Sequence, residues 1–521
     1  MKVAYIFPPP WDPYFPSYAA ALFKSSTEKA GHDYFTFDLS VALFNVVSEV
    51  DRRLWDGQCA VRWEAESSLI IKKYSSFLDS YIETILARGI DLYGIHANVY
   101  SKYLAFHLAQ QIKERTPKAA VIFGGPQCFP AYEGIRILDN KYVDAICTGE
   151  GDLVWPRMLD AFSGTNSLRI DLPGIAYKQD DGTVVDCGPP EPVDDLNIIS
   201  FADYGGIDFA DYGDRYQISI MTSRGCINTC AFCSERPNFY RYRFRRAENI
   251  FQEVLMHVAT LQRESQNRNQ HQNQRSFSRK VFHFGKDVLR SIKREFFPYN
   301  TNRSFRSKFF YLRQDIIQSL RNDRSVWINF NDSLINGIPK ELEKFCDLVI
   351  ENGLRFRWSG MALLRKEMTR ELLTKMKKAG CCHLAWGLES GCQEVLRLMH
   401  KRFFTMDLAE EVIKSVRDVG IKQSIALIVG FPGETEEMLL ETMQFLRSNK
   451  KYFSSVGVQP MYICPNSLVY NKPEEFGVDS ENAKDAIKWQ SIDGSNTYEI
   501  RLERLKRLES VVGSKIIITD K

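Results

Sequence analysis

Three cysteines, Cys226, Cys230 and Cys233, fall within eight residues of the stretch SRGCINTCAFCSERPNFYRYRFR, residues 223–245. Three thiols are one too many for a disulfide and one short of a structural zinc site. No other Cys or His lies between 216 and 256, so zinc would lack a nearby fourth ligand. A redox pair of Cys230 and Cys233 leaves Cys226 without a task. A cubane iron–sulfur cluster ordinarily takes four thiolates. Held by three, it keeps one iron open to a ligand from outside the protein, and that iron becomes a place for chemistry.

Such a loop needs a scaffold, and the sequence around it alternates strand and helix patterns. YQISIMTS (216–223) leads into the cysteines. Further strand-like runs are VWINFN (326–331), RFRWSGMA (355–362), HLAWGLE (383–389), SIALIVG (424–430) and SVGVQPMYI (455–463). Helical periodicity separates most of them, in KELEKFCDLVIENG, TRELLTKMKKAG, DLAEEVIKSVRDVG and TEEMLLETMQFLRSN. The first three end in glycine, the usual helix stop. Six strands with intervening helices predict a full or partial β/α barrel, with its chemistry at the C-terminal ends of the strands.

Residues 1–160 alternate in the same way. KVAYIF, LYGIHA (92–97), AAVIFGG (119–125) and VDAICTGEGD (143–152) predict a parallel sheet with helices on both faces. Gly124, Gly125 and Gly149 stand at strand ends, where such sheets bind ligands; taken alone they read as turn glycines. The predicted chain is thus α/β. A Rossmann-like doubly wound parallel sheet (1–165) is followed by a linker and hairpin (166–215). A partial (β/α)6 barrel (216–455) and a C-terminal extension (456–521) complete it.

A polar, basic insertion at 263–325 breaks the barrel's rhythm. It carries fifteen Lys and Arg against five Asp and Glu, leaving the rest of the chain at −7 within a net charge of +3. It is expected to be disordered at its start and partly helical later. Nucleic-acid binding is not expected of it, because no RNA-binding motif with interleaved aromatics is evident. No apolar run reaches about 18 residues, so no membrane span is predicted. The first apolar run stops at three prolines, unlike a signal peptide. Twelve cysteines scattered over 521 residues fit a reducing, cytoplasmic setting, with Cys59, Cys128, Cys147, Cys187, Cys346 and Cys464 read as core thiols. Cys381, Cys382 and Cys392 read as core or turn residues.

CINTCAFC resembles the cluster motif of the radical S-adenosylmethionine (SAM) superfamily. The resemblance implies a [4Fe–4S] cluster on Cys226, Cys230 and Cys233, with SAM on the fourth iron and Phe232 shielding the cluster. Reductive cleavage of SAM would then give a 5′-deoxyadenosyl radical. INFNDSLI (328–335) resembles the segment after the second strand, which implies contacts to the methionine amino group from Asn331 and Asp332. AWGLESGCQEVLRLMHK (385–401) resembles the fourth-strand segment, which implies ribose or amino contacts from Glu389 and Ser390. ALIVGFPGET (426–435) resembles the fifth-strand segment, whose backbone at Gly430 would bracket adenine. YICPNSLVYNKPEEFG (462–477) resembles the turn after strand six.

VIFGGPQCFP and VDAICTGEGD resemble pieces of the cobalamin-binding domain attached to many such enzymes, which implies a corrinoid near Gly124, Gly125 and Gly149. The Asp-x-His-x-x-Gly pattern that supplies a cobalt ligand in some cobalamin proteins is absent. His32, His96 and His107 stand outside it, and His96 reads as a satisfied core histidine. The implied activity is cobalamin-dependent methylation of an unactivated carbon in a small-molecule or peptide substrate, with an external one-electron donor of flavodoxin or ferredoxin type. A cobalamin-dependent cyclase or rearrangement is the alternative, and a non-catalytic iron–sulfur or nucleic-acid-binding protein a remote one. No further catalytic residue is assigned.

Overall fold

The computed structural model describes residues 1–55, 62–213, 216–261, 326–513 and the strand Ile516–Ile518. The basic insertion and Cys59 lie outside the described residues.

The first sheet contains β1 (Lys2–Ile6), β2 (Asp33–Phe37), β3 (Leu92–His96), β4 (Ala120–Gly124), β5 (Ala145–Cys147), β6 (Ile175–Lys178) and β7 (Val184–Asp186). Its order is β2-β1-β3-β4-β5-β6-β7. The first five strands are parallel, and β6 and β7 add antiparallel to β5. Alternate side chains bury themselves on opposite faces: Ala4 and Ile6 join one apolar cluster, Val3 another. Chain order reverses between β1 and β3, and the crevice beyond their carboxyl ends is where such sheets take ligands. The hairpin expected within the linker instead extends this sheet, because it covers the otherwise open edge of β5.

The second sheet starts with β8 (Gln217–Ile220). A short antiparallel ribbon follows, β9 (Ser223–Arg224) with β10 (Arg243–Phe244), and it brackets the cysteine loop. The sheet continues with β11 (Trp327–Phe330), β12 (Arg357–Ala362), β13 (Cys381–Glu389), β14 (Lys422–Val429), β15 (Ser455–Pro460) and β16 (Ile516–Ile518). These strands pair in chain order and all in parallel, with β8 and β16 at the two edges, so the barrel is open. All six strands read from the sequence are present. β15 crosses the boundary expected at residue 455, and the C-terminal extension contributes a seventh strand.

Sequence determines the helix starts plainly. Thr369, Thr405 and Thr435 each accept a hydrogen bond from the backbone N–H three residues on, at Leu372, Leu408 and Met438. The helices bury one face each, through Phe345, Leu373 and Ile413 among others, against Trp358 and Trp386 on the sheet. Among the described residues, no helix is long and apolar enough to cross a membrane.

Buried charges join the two sheets. Arg224 grips Asp152 with both guanidinium nitrogens, at 2.7 and 3.1 Å. Arg243 grips Glu150 likewise, at 2.9 and 2.5 Å, and also donates to the Val193 carbonyl. Their side chains are all at most 11% exposed, so the geometry must satisfy every charge internally. The β9–β10 ribbon is thereby tied to the N-cap and first turn of the helix Gly151–Thr165 that follows β5, and the cysteine loop it brackets sits against the first sheet. Arg245, two residues on, is buried on Glu253.

Candidate functional site

Cys226, Cys230 and Cys233 are free thiols that line one open cavity of about 430 Å³. Asn228, Thr229, Arg236, Pro237, Tyr240 and Leu468 complete its wall. The loop lies beyond the carboxyl end of β8, as the chemistry of a β/α barrel requires. Its entry is held by Asp332, which stands after β11. The Thr222 and Ser223 N–H groups donate to Asp332 Oδ1 at 2.7 and 2.9 Å, and the Thr222 hydroxyl donates to Oδ2. Backbone N–H groups also point at sulfur, from Asn228 to Cys226 and from Glu235 to Cys233, each at 3.4 Å.

Burial raises all three thiols, Cys230 to about 11 and Cys233 to about 12. The Lys401 ammonium opposes the rise at Cys226 and Cys230. Lys401 is 5% exposed and 3.0 Å from Glu389 Oε1. Burial alone would push the lysine down, but attraction to Glu389 and Cys230 outweighs it and holds the lysine above its ordinary value.

This pair explains the pattern Gly-Leu-Glu-Ser-Gly at the end of β13. A Cβ on Gly387 would stand 2.5 Å from Glu389 Oε1 and 3.2 Å from Lys401 Nζ. A side chain at 387 would push the ion pair out of this arrangement. Glu389 has φ of 71°, a left-handed conformation uncommon for such a residue, at a register shift between β13 and β14. The buried pair fixes a backbone that would otherwise relax.

The other expected site residues divide sharply. Asn331 is exposed, but both oxygens of Asp332 are engaged inside the protein. Ser390 is 1% exposed, 2.9 Å from the Thr442 hydroxyl, and accepts from the Cys392 N–H. It shapes the turn and presents no oxygen outward. The Gly430 N–H donates to Glu434 and its carbonyl accepts from Asn496, while the stem of buried Arg501 occupies the place of its absent Cβ. Gly430 therefore offers shape, with its hydrogen-bonding groups already spent. Phe232 packs on the apolar cluster around Val395, Met399 and Phe431.

Gly124, Gly125 and Gly149 stand at the carboxyl edge of the first sheet. A Cβ on Gly124 would meet nothing within 4 Å, so the site there is open. Gly125 has φ of 106°, and a Cβ there would strike the Ala97 carbonyl and the His96 ring. Gly149 is closed off by Pro190. Cys464 was expected in the core. It is half-buried instead, 3.1 Å from the Ser234 hydroxyl and 4.0 Å from that of Tyr132, where the cysteine loop meets the first sheet's loops.

Lys401 was missed as a site residue, although it ends the segment that carries Glu389. Its signal is a cation twelve residues after a strand-end carboxylate, beyond one short helix. Asn228 was missed too, and its buried Nδ2 has no partner beside the cysteines. The donor set suits a multi-iron cluster. Three thiols face one cavity, yet among the described residues no three His, Cys, Asp or Glu side chains converge on a single ion. Separate irons, each with its own thiolate, need no such convergence.

Residues 318–446 match the family model described as the Radical SAM superfamily, a span that begins after the cysteines. An uncharacterised methyltransferase of Pyrococcus horikoshii is 24% identical over 409 residues, covering 77% of this chain and 71% of its own length. An anaerobic magnesium-protoporphyrin IX monomethyl ester cyclase of Rubrivivax gelatinosus is 25% identical over 378 residues, covering 71% of this chain and 56% of its own. Among solved structures, the radical SAM methyltransferase TsrM of Kitasatospora setae has a TM-score of 0.59 at 15% identity, covering 91% of this chain and 76% of its own. The cobalamin-dependent SAM radical enzyme OxsB has a TM-score of 0.56 at 14% identity, covering 99% of this chain and 57% of its own. At these identities the structural likeness establishes the shared fold, Rossmann-like sheet and barrel together.

Proposed function

We propose that the chain is a cobalamin-dependent member of the radical SAM superfamily that methylates an unactivated carbon of a small-molecule or peptide substrate. The observation that carries this reading is the meeting of three free thiols on one cavity, backed by the buried Glu389–Lys401 pair. When bound, a [4Fe–4S] cluster with SAM supplies a carbon-centred radical by one-electron reduction, and cobalamin supplies a transferable methyl group.

Cys226, Cys230 and Cys233 would hold the cluster. Two backbone N–H groups aimed at sulfur, together with Lys401, favour the thiolate forms that metal binding requires. Lys401 is suited to the carboxylate of SAM, and Asn331 and Glu389 to its other polar groups. Asp332 and Ser390 hold their loops in place from inside. The open edge at Gly124 and the crevice between β1 and β3 suit a corrinoid, facing the barrel's carboxyl end through the Arg224–Asp152 and Arg243–Glu150 tie. An external one-electron donor of flavodoxin or ferredoxin type would approach the open side of the cavity, where Arg236 and Tyr240 are exposed.

The test is anaerobic reconstitution with iron, sulfide, SAM and a strong reductant. 5′-Deoxyadenosine should form with wild type and vanish with Cys230→Ala; equal yields from both would refute the cluster assignment. The similarity to a cyclase favours a second reading, cyclisation or rearrangement without methyl transfer. Methyl-labelled SAM separates the two: label in the product supports methylation, and turnover without label supports the second.

A further inference from the structure

Asn228 is the middle of the three residues between Cys226 and Cys230, and its backbone N–H donates to Cys226 Sγ at 3.4 Å. Its side-chain oxygen accepts the Thr229 N–H at 3.0 Å. That bond fixes which way the amide faces, because a backbone N–H needs an oxygen and not an NH2 group. The other end, Nδ2, is buried and has no hydrogen-bond partner. The residue is 7% exposed and forms part of the wall of the cavity lined by the three thiols. Among the described residues with an unpartnered buried side-chain polar atom, Asn228 is the one on that wall.

An amide nitrogen carries two donors, and burying both unmet is a standing cost to the folded chain. Apart from the three cysteines, the cavity wall offers the hydroxyls of Thr229 and Tyr240, both on exposed residues, and no carboxylate or second amide. Sulfur is therefore the buried acceptor within its surroundings. A side chain as short as asparagine keeps Nδ2 near its own backbone nitrogen, and that nitrogen already points at Cys226 Sγ. Hydrogen bonds donated to cluster sulfur favour the reduced state, which carries one more negative charge. Two backbone N–H groups already point at Cys226 and Cys233. Asn228 adds a buried side-chain donor to them, one that the sequence can supply or withhold.

We propose that Asn228 Nδ2 donates a hydrogen bond to sulfur at the Cys226 corner of the bound cluster and so raises the cluster's reduction potential. This rests on the cluster reading above. Asn228 acts on the cofactor and not on the substrate. One electron passes from the external donor to the cluster, and no bond of the protein is made or broken. The donor's part is to make that transfer easier.

The test uses the reconstituted full chain with its cluster and without SAM, titrated with reductant while the paramagnetic resonance of the reduced cluster is followed. Asn228→Leu keeps nearly the same volume and loses the donor, so its reduction equilibrium should fall about tenfold, or about 59 mV for a one-electron couple. Asn228→Asp keeps an acceptor for the Thr229 N–H but sets a negative charge where the donor stood. Its midpoint should fall below that of Asn228→Leu. A purely structural role predicts the opposite order, because aspartate preserves the turn and leucine breaks it. Asparagine labelled with nitrogen-15 at the side-chain amide should couple weakly to the reduced cluster of wild type and not to that of Asn228→Leu. The wild-type half of that result depends on no variant. A wild-type cluster of four irons without the coupling overturns the Asn228 assignment alone. So does an Asn228→Leu equilibrium within about twofold of wild type, or an Asn228→Asp midpoint at or above that of Asn228→Leu. Failure of wild type to assemble a cluster of four irons overturns the cluster reading and the assignment with it.

Discussion

Replacing Lys401 by methionine removes one charge and keeps nearly the same volume. Glu389, 8% exposed, then faces the cysteine loop without its partner. Two unit charges 3.0 Å apart attract by about 5.5 kcal/mol at an effective dielectric near 20. Desolvation of both groups offsets most of that, so the intact pair adds little net stability. Removing one member is different, because the survivor stays buried; such losses run to about 3–5 kcal/mol. The expected loss for Lys401→Met is about 3 kcal/mol, a fall of roughly 6–12 °C in the barrel's unfolding midpoint. Glu389→Gln/Lys401→Met removes both charges and should recover at least about 2 kcal/mol of that loss. Thermal and urea unfolding of the cluster-free chain measures all three. A midpoint for Lys401→Met within about 2 °C of wild type, or a double variant no better than the single one, would refute the argument that the two charges depend on each other.

Cluster loading should release about one proton per cysteine, because burial keeps the thiols protonated at neutral pH. Loading should therefore strengthen with pH between 6.5 and 8.5, checked by iron content against pH and by proton release in weak buffer. Asp332 is pushed up to about 6 by burial, above its unfolded value near 3.8. The protonated carboxyl is thus favoured by folding, and that contribution is present below pH 3.8 and lost as pH rises through 6. From pH 3.5 to pH 7, wild type should lose about 3 kcal/mol relative to Asp332→Asn, measured by urea unfolding at both pH values. Arg243→Met leaves Glu150 buried without its principal partner and should loosen the junction of the two sheets. Limited proteolysis should speed up within 187–213, and Glu150→Gln/Arg243→Met should be less affected than Arg243→Met alone.

The strands and the cysteine loop were legible because their signals are local. Apolar runs of four to eight residues, glycine stops and C-x3-C-x2-C spacing can each be read without knowing what lies opposite. What escaped depends on chain segments far apart in sequence. Arg224 and Arg243 find Asp152 and Glu150 some 72 and 93 residues away, so the purpose of the arginines flanking the cysteines emerges only once the two sheets dock. Asp332 and Ser390 were read as SAM contacts from the sequence pattern, yet their hydrogen-bonding atoms turn inward to Thr222, Ser223 and Thr442. A motif marks the position of a side chain but not its direction. The hairpin at Ile175–Lys178 and Val184–Asp186 was recognised, but its sheet was not, because hairpin chemistry says nothing of the edge it will cover. His96 was read as satisfied, yet its buried Nε2 has no partner, because partner satisfaction is a property of the packed structure.

The central claim is that three thiolates leave one iron of a cluster free for SAM. Electron–nuclear double resonance on the reduced, reconstituted chain with SAM labelled at its amino nitrogen and carboxylate carbon tests it most directly. Strong coupling of both labels to the cluster, absent in Cys230→Ala, is the predicted result. A reduced cluster of four irons that shows no coupling to either label would contradict it.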